Sequence, residues 1–141
     1  MKETRVFIDT NILVYAYDSQ AEEKQKNAAK LIEKLWEQPL LPSLSIQVLQ
    51  EFYITLIRKK IKQDVAEKVV NSYLEWNVVE NNRSLFESSF TEQKNFGLSF
   101  WDSCILAAAR QSQCTELWSE DFNSGQVYDG IKVKNPLIKD R

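Results

Sequence analysis

The chain has 141 residues, of which 43% are hydrophobic and 27% charged, with 18 Lys and Arg against 20 Asp and Glu. This length and composition predict one globular domain, spanning residues 1–141, that can bury a substantial core. The absence of histidine and the presence of only 2 cysteines exclude Ser-His-Asp and Cys-His catalysis, and also histidine-ligated zinc. The acidic pI near 5.3 is not typical of a nucleic-acid-binding protein.

The sequence also bears on cellular location. No apolar run approaches the roughly 18 residues that a membrane span requires, and the N-terminal residues lack the apolar region of a signal peptide. Cys104 and Cys114 are therefore expected to be free thiols in a reducing compartment. The expected location is cytoplasmic.

Apolar runs and helix-capping residues predict strands that alternate with helices. The predicted strands cover residues 5–8, 40–42, 76–79, 115–119 and 131–134. The predicted helices cover residues 12–17, 21–37, 46–60, 65–75, 84–95 and 100–111, with Ser45, Asp64 and Ser99 as N-caps of the third, fourth and sixth. This alternation, without hairpin signals, predicts an α/β fold with a parallel sheet. Ligands of such sheets bind beyond the carboxyl ends of the strands.

Two acidic residues are predicted to lie at that edge of the sheet. Asp9 directly follows the first strand, and Asp121 lies just after the fourth. Each also has a purely structural explanation, because Asp9 could cap a helix and Asp121 could be a turn residue. Glu120, beside Asp121, is a competing candidate for the same role.

Two further acids lie on helices. Asp102 is in the first turn of an apolar helix and shares its inward face with Ile105, although the Ser99–Asp102 pattern is also that of a capping box. Glu51 lies mid-helix beside Phe52, where a glutamate is commonly solvated. The functional argument therefore depends on the four acids as a set.

Four carboxylates in one pocket would repel one another and raise their own pKa values. A divalent cation would remove this cost, and sites made only of oxygen ligands select hard cations such as Mg²⁺ or Mn²⁺. Such an ion activates water and stabilises charge on a phosphate. This chemistry does not require the histidine that the chain lacks.

Four segments resemble the acidic motifs of the PIN-domain family, and most closely those of VapC-type toxins of prokaryotic toxin–antitoxin pairs. They are Val6-Phe7-Ile8-Asp9-Thr10-Asn11, Gln50-Glu51-Phe52, Leu98-Ser99-Phe100-Trp101-Asp102 and Leu117-Trp118-Ser119-Glu120-Asp121-Phe122. The tail with Gly125, Gly130-Ile131 and Asn135-Pro136 is similar as well. The resemblance extends from about Arg5 to Leu137.

The resemblance implies a PIN-like fold, with a parallel sheet of about five strands between helices. It implies a metal-dependent endoribonuclease, the toxin of a type II toxin–antitoxin pair, with Mg²⁺ or Mn²⁺ as cofactor. Asp9, Glu51, Asp102 and Asp121 would be the catalytic and metal-binding residues, supported by Asn11 and Ser119. The implied partners are RNA, a cognate antitoxin and a second copy of the chain.

Positive charge for RNA is expected at Arg58, Lys59, Lys60 and Lys62, with a second patch at Lys132, Lys134 and Lys139. Basic residues in a last helical turn also stabilise the helix dipole, so the first cluster has a structural alternative. Trp101, Trp118 and Cys104 are expected to pack in the core.

Three other functions remain open: a PIN nuclease of RNA maturation, a non-catalytic RNA- or protein-binding PIN domain, and an aspartyl phosphatase. The phosphatase would require a second acid where Asn11 stands.

Overall fold

The computed structural model describes residues 3–137, in which six strands form one sheet flanked by helices. The strands are β1 Val6–Ile8, β2 Ser43–Ser45, β3 Asn77–Val79, β4 Glu116–Trp118, β5 Val127–Tyr128 and β6 Ile131–Lys134. The helices are α1 Thr10–Tyr15, α2 Glu22–Glu37, α3 Ile46–Arg58, α4 Gln63–Ser72, α5 Arg83–Phe96 and α6 Phe100–Gln111, with a 3₁₀ turn at Tyr73–Glu75. No helix within residues 3–137 is both long and apolar enough to cross a bilayer.

The sheet has the order β3-β2-β1-β4-β6-β5. All neighbouring strands run parallel except β5 and β6, which are antiparallel. Central strands are apolar on both faces: Phe7, Ile8 and Leu117 are fully buried, as expected for a parallel sheet covered by helices. The predicted α/β class, with a mostly parallel sheet between helices, is confirmed.

The antiparallel edge strand is a difference from the predicted parallel sheet. Asp129 and Gly130 connect β5 to β6 with φ angles of +46° and +89°, the positive values that a two-residue hairpin turn requires. The Asp-Gly pair was the sequence signal for this hairpin. Arg110, at the end of α6, donates to the carbonyl oxygens of Tyr128 at 2.9 Å and Asp129 at 2.7 Å, which ties the hairpin to the helical layer.

Three other predicted elements are shifted. The first helix begins at Thr10 and not at residue 12, because Asp9 is its N-cap. The second strand is Ser43–Ser45 and not residues 40–42, and it leads directly into α3, so that Ser45 both ends β2 and caps the helix by accepting from the Val48 N–H at 3.2 Å. The fourth helix begins one residue before Asp64, with Lys62 as its N-cap, so Asp64 lies in the first turn. Its negative charge is still favourable there because of the helix dipole.

Candidate metal and nucleic-acid site

Asp9 is the most strongly fixed of the four acids. It caps α1, is 5% exposed, and accepts from the Thr10 N–H with Oδ1 at 2.7 Å and from the Ser119 hydroxyl with Oδ2 at 2.7 Å. These partners meet because Ile8 pairs with Trp118 in the parallel ladder, so the residues that follow both strands emerge side by side. Sheet register, rather than flexible loops, therefore positions this carboxylate.

The environment of Asp9 disfavours its charged form. The pKa of its carboxyl is raised from 3.8 to about 6 in total. Burial is the largest cause, the hydrogen bonds from Ser119 and Thr10 lower the pKa, and the nearby charges of Asp121 and Glu51 contribute to the increase. Ionisation of a carboxyl with this pKa is unfavourable compared with an ordinary aspartate, and a nearby cation would lower that cost.

Glu51 projects from α3 toward the start of α1. Its Oε2 accepts from the Thr10 hydroxyl at 2.9 Å, and its Oε1 accepts from the Gln47 side-chain amide at 3.1 Å. Although Glu51 is exposed, these two bonds hold its carboxylate in a direction toward Asp9. Thr10 and Gln47 were not singled out in the sequence, and no local pattern marks them.

Asp102 approaches from α6. The Ser99 hydroxyl accepts from the Asp102 backbone N–H at 3.1 Å, and Ser99 also interacts with the Asp102 carboxyl and lowers its pKa. Partial burial raises the pKa of this carboxyl, and the charges of Asp121 and Glu51 raise it as well. Asp102 is half-buried, so it faces partly into the protein, as expected, but is not enclosed.

Glu120 and Asp121 are both candidates for the fourth acidic position, and their contacts differ. Glu120 accepts from the Tyr15 hydroxyl at 2.7 Å and forms an ion pair with Lys24 at 3.5 Å. Asp121 is exposed and has no such partner among residues 3–137; its backbone N–H donates to the Ser119 hydroxyl at 3.1 Å. Because its charge raises the pKa of both Asp9 and Asp102, Asp121 is the acid of this pair that faces the others.

Asn11 supports the same loop. Its side-chain oxygen accepts from the Glu120 backbone N–H at 3.1 Å, which holds the segment after β4 against α1. Its amide nitrogen is buried and has no hydrogen-bond partner within residues 3–137. A buried donor without a partner is costly, and here it lies at the wall of the acidic cleft.

The four acids lie in one region of the molecule, but their side chains are not arranged around one ion. Asp9 and Asp102 each respond to the charges of Asp121 and Glu51. Within residues 3–137, however, no three acidic, histidine or cysteine side chains are arranged as metal ligands. The donor chemistry, all carboxylate oxygen, fits a hard cation such as Mg²⁺ or Mn²⁺, but the side chains would have to move to hold one.

A cleft of about 650 Å³ opens beside these acids. Glu51 and Asp121 line it, and Arg58 and Lys59 lie on its wall. Lys59 forms an ion pair with Asp18 at 3.4 Å, whereas Arg58 has no ion pair among residues 3–137.

Four other predicted basic residues do not line this cleft: Lys60, Lys62, Lys132 and Lys134. Lys60 and Lys62 are exposed in the segment after α3. In the second predicted patch, Lys134 pairs with Glu116 at 3.2 Å, and Lys139 lies outside the described residues. The structure thus brings only part of the predicted basic cluster to the acids.

The placement of Trp101 in the core was wrong, since its side chain is 66% exposed. Trp118 and Cys104 are half-buried, and Cys104 and Cys114 are both free thiols. Trp101 adjoins the exposed rings of Phe86 and Phe90 through Phe100. Phe86 and Phe90 each follow a buried residue of α5, Leu85 and Ser89, so they lie beside the buried stripe of this helix. Their spacing of four residues was the sequence signal for an exposed aromatic face.

The sequence and fold were compared with known proteins. The family model described as "PIN domain" matches residues 6–129. This chain belongs to the PIN-domain family. No curated protein sequence matches it.

Solved structures that include a toxin and a toxin–antitoxin complex resemble the chain in fold. A toxin–antitoxin complex from Klebsiella pneumoniae superposes with a TM-score of 0.70 at 18% identity, covering 93% of this chain and 97% of that one. VapC20 of Mycobacterium tuberculosis, described as a Sarcin-Ricin loop cleaving toxin, gives 0.59 at 18% identity, covering 84% and 91%. VapBC2 from Rickettsia felis, bound to a promoter DNA fragment, gives 0.61 at 17%, covering 93% and 98%. At such identities the likeness concerns the fold alone.

Proposed function

We propose that the chain, as a single PIN-like domain of residues 1–141, is an endoribonuclease that requires Mg²⁺ or Mn²⁺ and acts as the toxin of a type II toxin–antitoxin pair. The observation that supports the proposal is that Asp9 and Asp102, at the carboxyl edge of a PIN-type sheet, both lie close enough to Glu51 and Asp121 for those charges to raise their pKa values, that of the buried Asp9 to about 6. The location would be cytoplasmic.

Asp9 and Asp102 would be the principal ligands of the ion, and Glu51 and Asp121 would complete its environment directly or through water. When bound, the cation would activate water for attack on phosphorus and offset charge on the leaving oxygen. By family analogy, the products would carry 5′-phosphate and 3′-hydroxyl ends.

The chain's own residues would supply orientation. The Ser119 hydroxyl and the Thr10 N–H hold both oxygens of Asp9, and the Thr10 hydroxyl and Gln47 amide hold both oxygens of Glu51. Preorganised ligands reduce the cost of assembling a charged site. Arg58, on the cleft wall without an ion pair among residues 3–137, is placed to meet an RNA phosphate.

Cleavage assays test the proposal directly. Purified protein is incubated with defined RNAs in Mg²⁺, Mn²⁺ or EDTA, next to Asp9→Asn, which keeps the size and capping ability of the side chain. We expect cleavage in either metal, none in EDTA, and at least a 100-fold loss in the variant. Equal cleavage by wild type and Asp9→Asn would disprove the catalytic assignment.

Binding of the ion can be measured separately from cleavage. Calorimetric titration with Mn²⁺ is expected to give saturable binding to the wild type that Asp9→Asn and Asp102→Asn weaken, while Glu120→Gln leaves it nearly unchanged because Glu120 is occupied by Tyr15 and Lys24. Equal weakening by Glu120→Gln would assign the fourth acid differently.

Two protein partners belong to this proposal. An antitoxin segment that carries an arginine among apolar residues would suit the acidic cleft, whose wall also includes Val14 and Ile54. The chain would also form a homodimer. Co-expression with the product of an adjacent small gene, followed by measurement of complex mass by light scattering, tests both partners. An isolated nuclease gene without such a neighbour would favour RNA maturation instead.

A further inference from the structure

One face of α1 holds Glu120, the residue directly before Asp121. The side-chain oxygen of Asn11 accepts from the Glu120 backbone N–H at 3.1 Å, and the Tyr15 hydroxyl donates to Glu120 Oε1 at 2.7 Å. Asn11 and Tyr15 are four residues apart, a spacing that places two side chains on the same side of a helix. Both the backbone and the side chain of Glu120 are therefore attached to this helix.

Tyr15 is the main partner of the Glu120 side chain. A hydroxyl that donates to a carboxylate at this distance forms a charge-assisted bond, and both side chains are half-buried. Lys24, from α2, lies with Nζ 3.5 Å from Glu120 Oε2 and 3.4 Å from the Tyr15 hydroxyl oxygen. The Lys24 side chain is 50% exposed, so this ion pair adds little. Loss of the Tyr15 hydroxyl should therefore release the Glu120 side chain.

The direction of the Asp121 side chain depends on how this segment is held. The carboxylates of Asp9 and Glu51 each accept two hydrogen bonds. Asp121 is exposed, and its recorded bond within residues 3–137 is that of its backbone N–H to the Ser119 hydroxyl at 3.1 Å. The position of its carboxylate is thus set by the backbone that carries it, and Glu120 is the neighbour in that backbone that α1 holds.

The helix that holds Glu120 also begins at the most buried acid of the site. Asp9 is the N-cap of α1, and Tyr15 is its last residue, so the Tyr15–Glu120 bond fixes the segment with Asp121 relative to Asp9. Tyr15 also lines the acidic cleft. However, its hydroxyl is bonded to Glu120 and its ring centroid lies 4.7 Å from Lys24 Nζ, so both parts of the side chain are engaged within the protein.

We propose that Tyr15 is a positioning residue for the cation site: by holding Glu120, it fixes the segment that carries Asp121 and thereby the place of Asp121 relative to Asp9. The inference rests on the proposed metal-dependent function, and it adds a residue that touches neither the cation nor RNA. Glu120 serves as the acceptor for Tyr15 and not as a ligand of the ion.

Hydrogen exchange of backbone amides, followed by NMR in EDTA, tests the positioning without any ion. Tyr15→Phe keeps the ring and removes only the hydroxyl. We expect the Glu120 amide, which donates to Asn11, to exchange about 5-fold faster, since local opening then breaks one hydrogen bond fewer. Tyr53→Phe is the control, because Tyr53 is a half-buried tyrosine of α3 that does not line the cleft; it should exchange as the wild type does. Unchanged exchange in Tyr15→Phe would overturn the inference.

Calorimetric titration with Mn²⁺ measures the effect on the ion. Tyr15→Phe is expected to weaken binding about 5-fold, as the loss of one hydrogen bond does. Glu120→Ala should weaken binding at least as much, whereas Glu120→Gln should bind nearly as the wild type does, because its amide oxygen still accepts from Tyr15. In an Asp121→Asn background, Tyr15→Phe should have no further effect, since changes that act through one group are not additive. Equal weakening in both backgrounds would show that Tyr15 acts without Asp121, against the inference.

Cleavage kinetics distinguish positioning from contact with the substrate. Tyr15→Phe should lower kcat about 5-fold and leave KM for RNA unchanged, whereas a raised KM with unchanged kcat would mean that Tyr15 binds RNA and would disprove the positioning role. Wild type that binds Mn²⁺ and cleaves RNA, with Tyr15→Phe equal to it in both, overturns the positioning role alone. Wild type that binds no Mn²⁺ and cleaves no RNA overturns the proposed function and this inference together.

Discussion

The hydroxyl of Ser119 connects two of the four acidic positions, because it donates to Asp9 Oδ2 at 2.7 Å and accepts from the Asp121 N–H at 3.1 Å. Ser119 is fully buried, so water cannot replace either bond. One side chain thus controls both the ionisation of Asp9 and the direction of the loop that carries Asp121.

Ser119→Ala should therefore destabilise the protein in a pH-dependent way. At pH 8 in EDTA we expect a loss of about 2 kcal/mol in the free energy of unfolding, the cost of leaving a buried charged acceptor without its donor. Below the Asp9 pKa of about 6, the loss should fall to about half, since bonds to charged groups are about twice as strong as neutral ones. Urea unfolding at both pH values measures this.

The control is Ser89→Ala. Ser89 is also fully buried, but its hydroxyl donates to the Leu85 carbonyl within α5, so its loss should be the same at both pH values. Equal behaviour of the two variants would contradict the link between Ser119 and Asp9 ionisation.

Asp9→Asn should change how stability depends on pH. In the folded chain the Asp9 pKa is about 6, compared with 3.8 for the ordinary group, so between these values the folded state binds more protons than the unfolded state. Stability from this group is greatest below pH 3.8 and falls as pH rises through 6, by about 3 kcal/mol in total at 1.36 kcal/mol per pKa unit. The variant should lack that decline.

The measurement is the difference in unfolding free energy between Asp9→Asn and wild type in EDTA, from pH 4 to 8. It should rise with pH in favour of the variant. Asp102→Asn should also stabilise near neutral pH, but by less, because Asp102 is only half-buried and burial is the largest cause of its raised pKa. A difference independent of pH would indicate that Asp9 ionises normally.

Thr10→Val should separate orientation from stability. It removes the hydroxyl that Glu51 Oε2 accepts from at 2.9 Å while keeping the shape of the side chain. We expect the cleavage kcat to fall about 10-fold, because Glu51 is no longer held, and unfolding free energy to change by about 1 kcal/mol. Thr10→Ser, which retains the hydroxyl, should recover most of kcat; failure to do so would assign the defect to packing.

Arg58→Ala should reduce the salt dependence of RNA binding. Each phosphate contact with a single strand contributes about 0.7 to the slope of log K against log salt, so the slope should decrease by about that amount. Lys62→Ala is the comparison, since Lys62 does not line the cleft and its removal should leave the slope unchanged. The same decrease in both variants would extend the RNA path beyond the cleft.

The places of the acids relative to strands and helices could be predicted from the sequence because they follow local rules. A short apolar run predicted β1, so Asp9 had to lie at its carboxyl end, and Ser45 and Ser99 begin α3 and α6 as predicted. Helix and strand periodicities depend on neighbours only a few residues apart. Two predictions failed because these patterns are local. Strand β5 has only two residues and is too short for a periodic signal, and the neighbours of Trp101 in the sequence could not assign it to core or surface.

What the tertiary structure alone decided is which distant groups meet. Thr10 contacts Glu51, 41 residues away, and Ser119 contacts Asp9, 110 residues away, because the β1–β4 register brings residues that follow Ile8 and Trp118 to the same edge. The contacts of Glu120 with Tyr15 and Lys24 likewise depend on the packing. Sequence determines the chemical groups and their local secondary structure; their partners, burial and pKa values arise from the packing of strands and helices, which no short segment encodes.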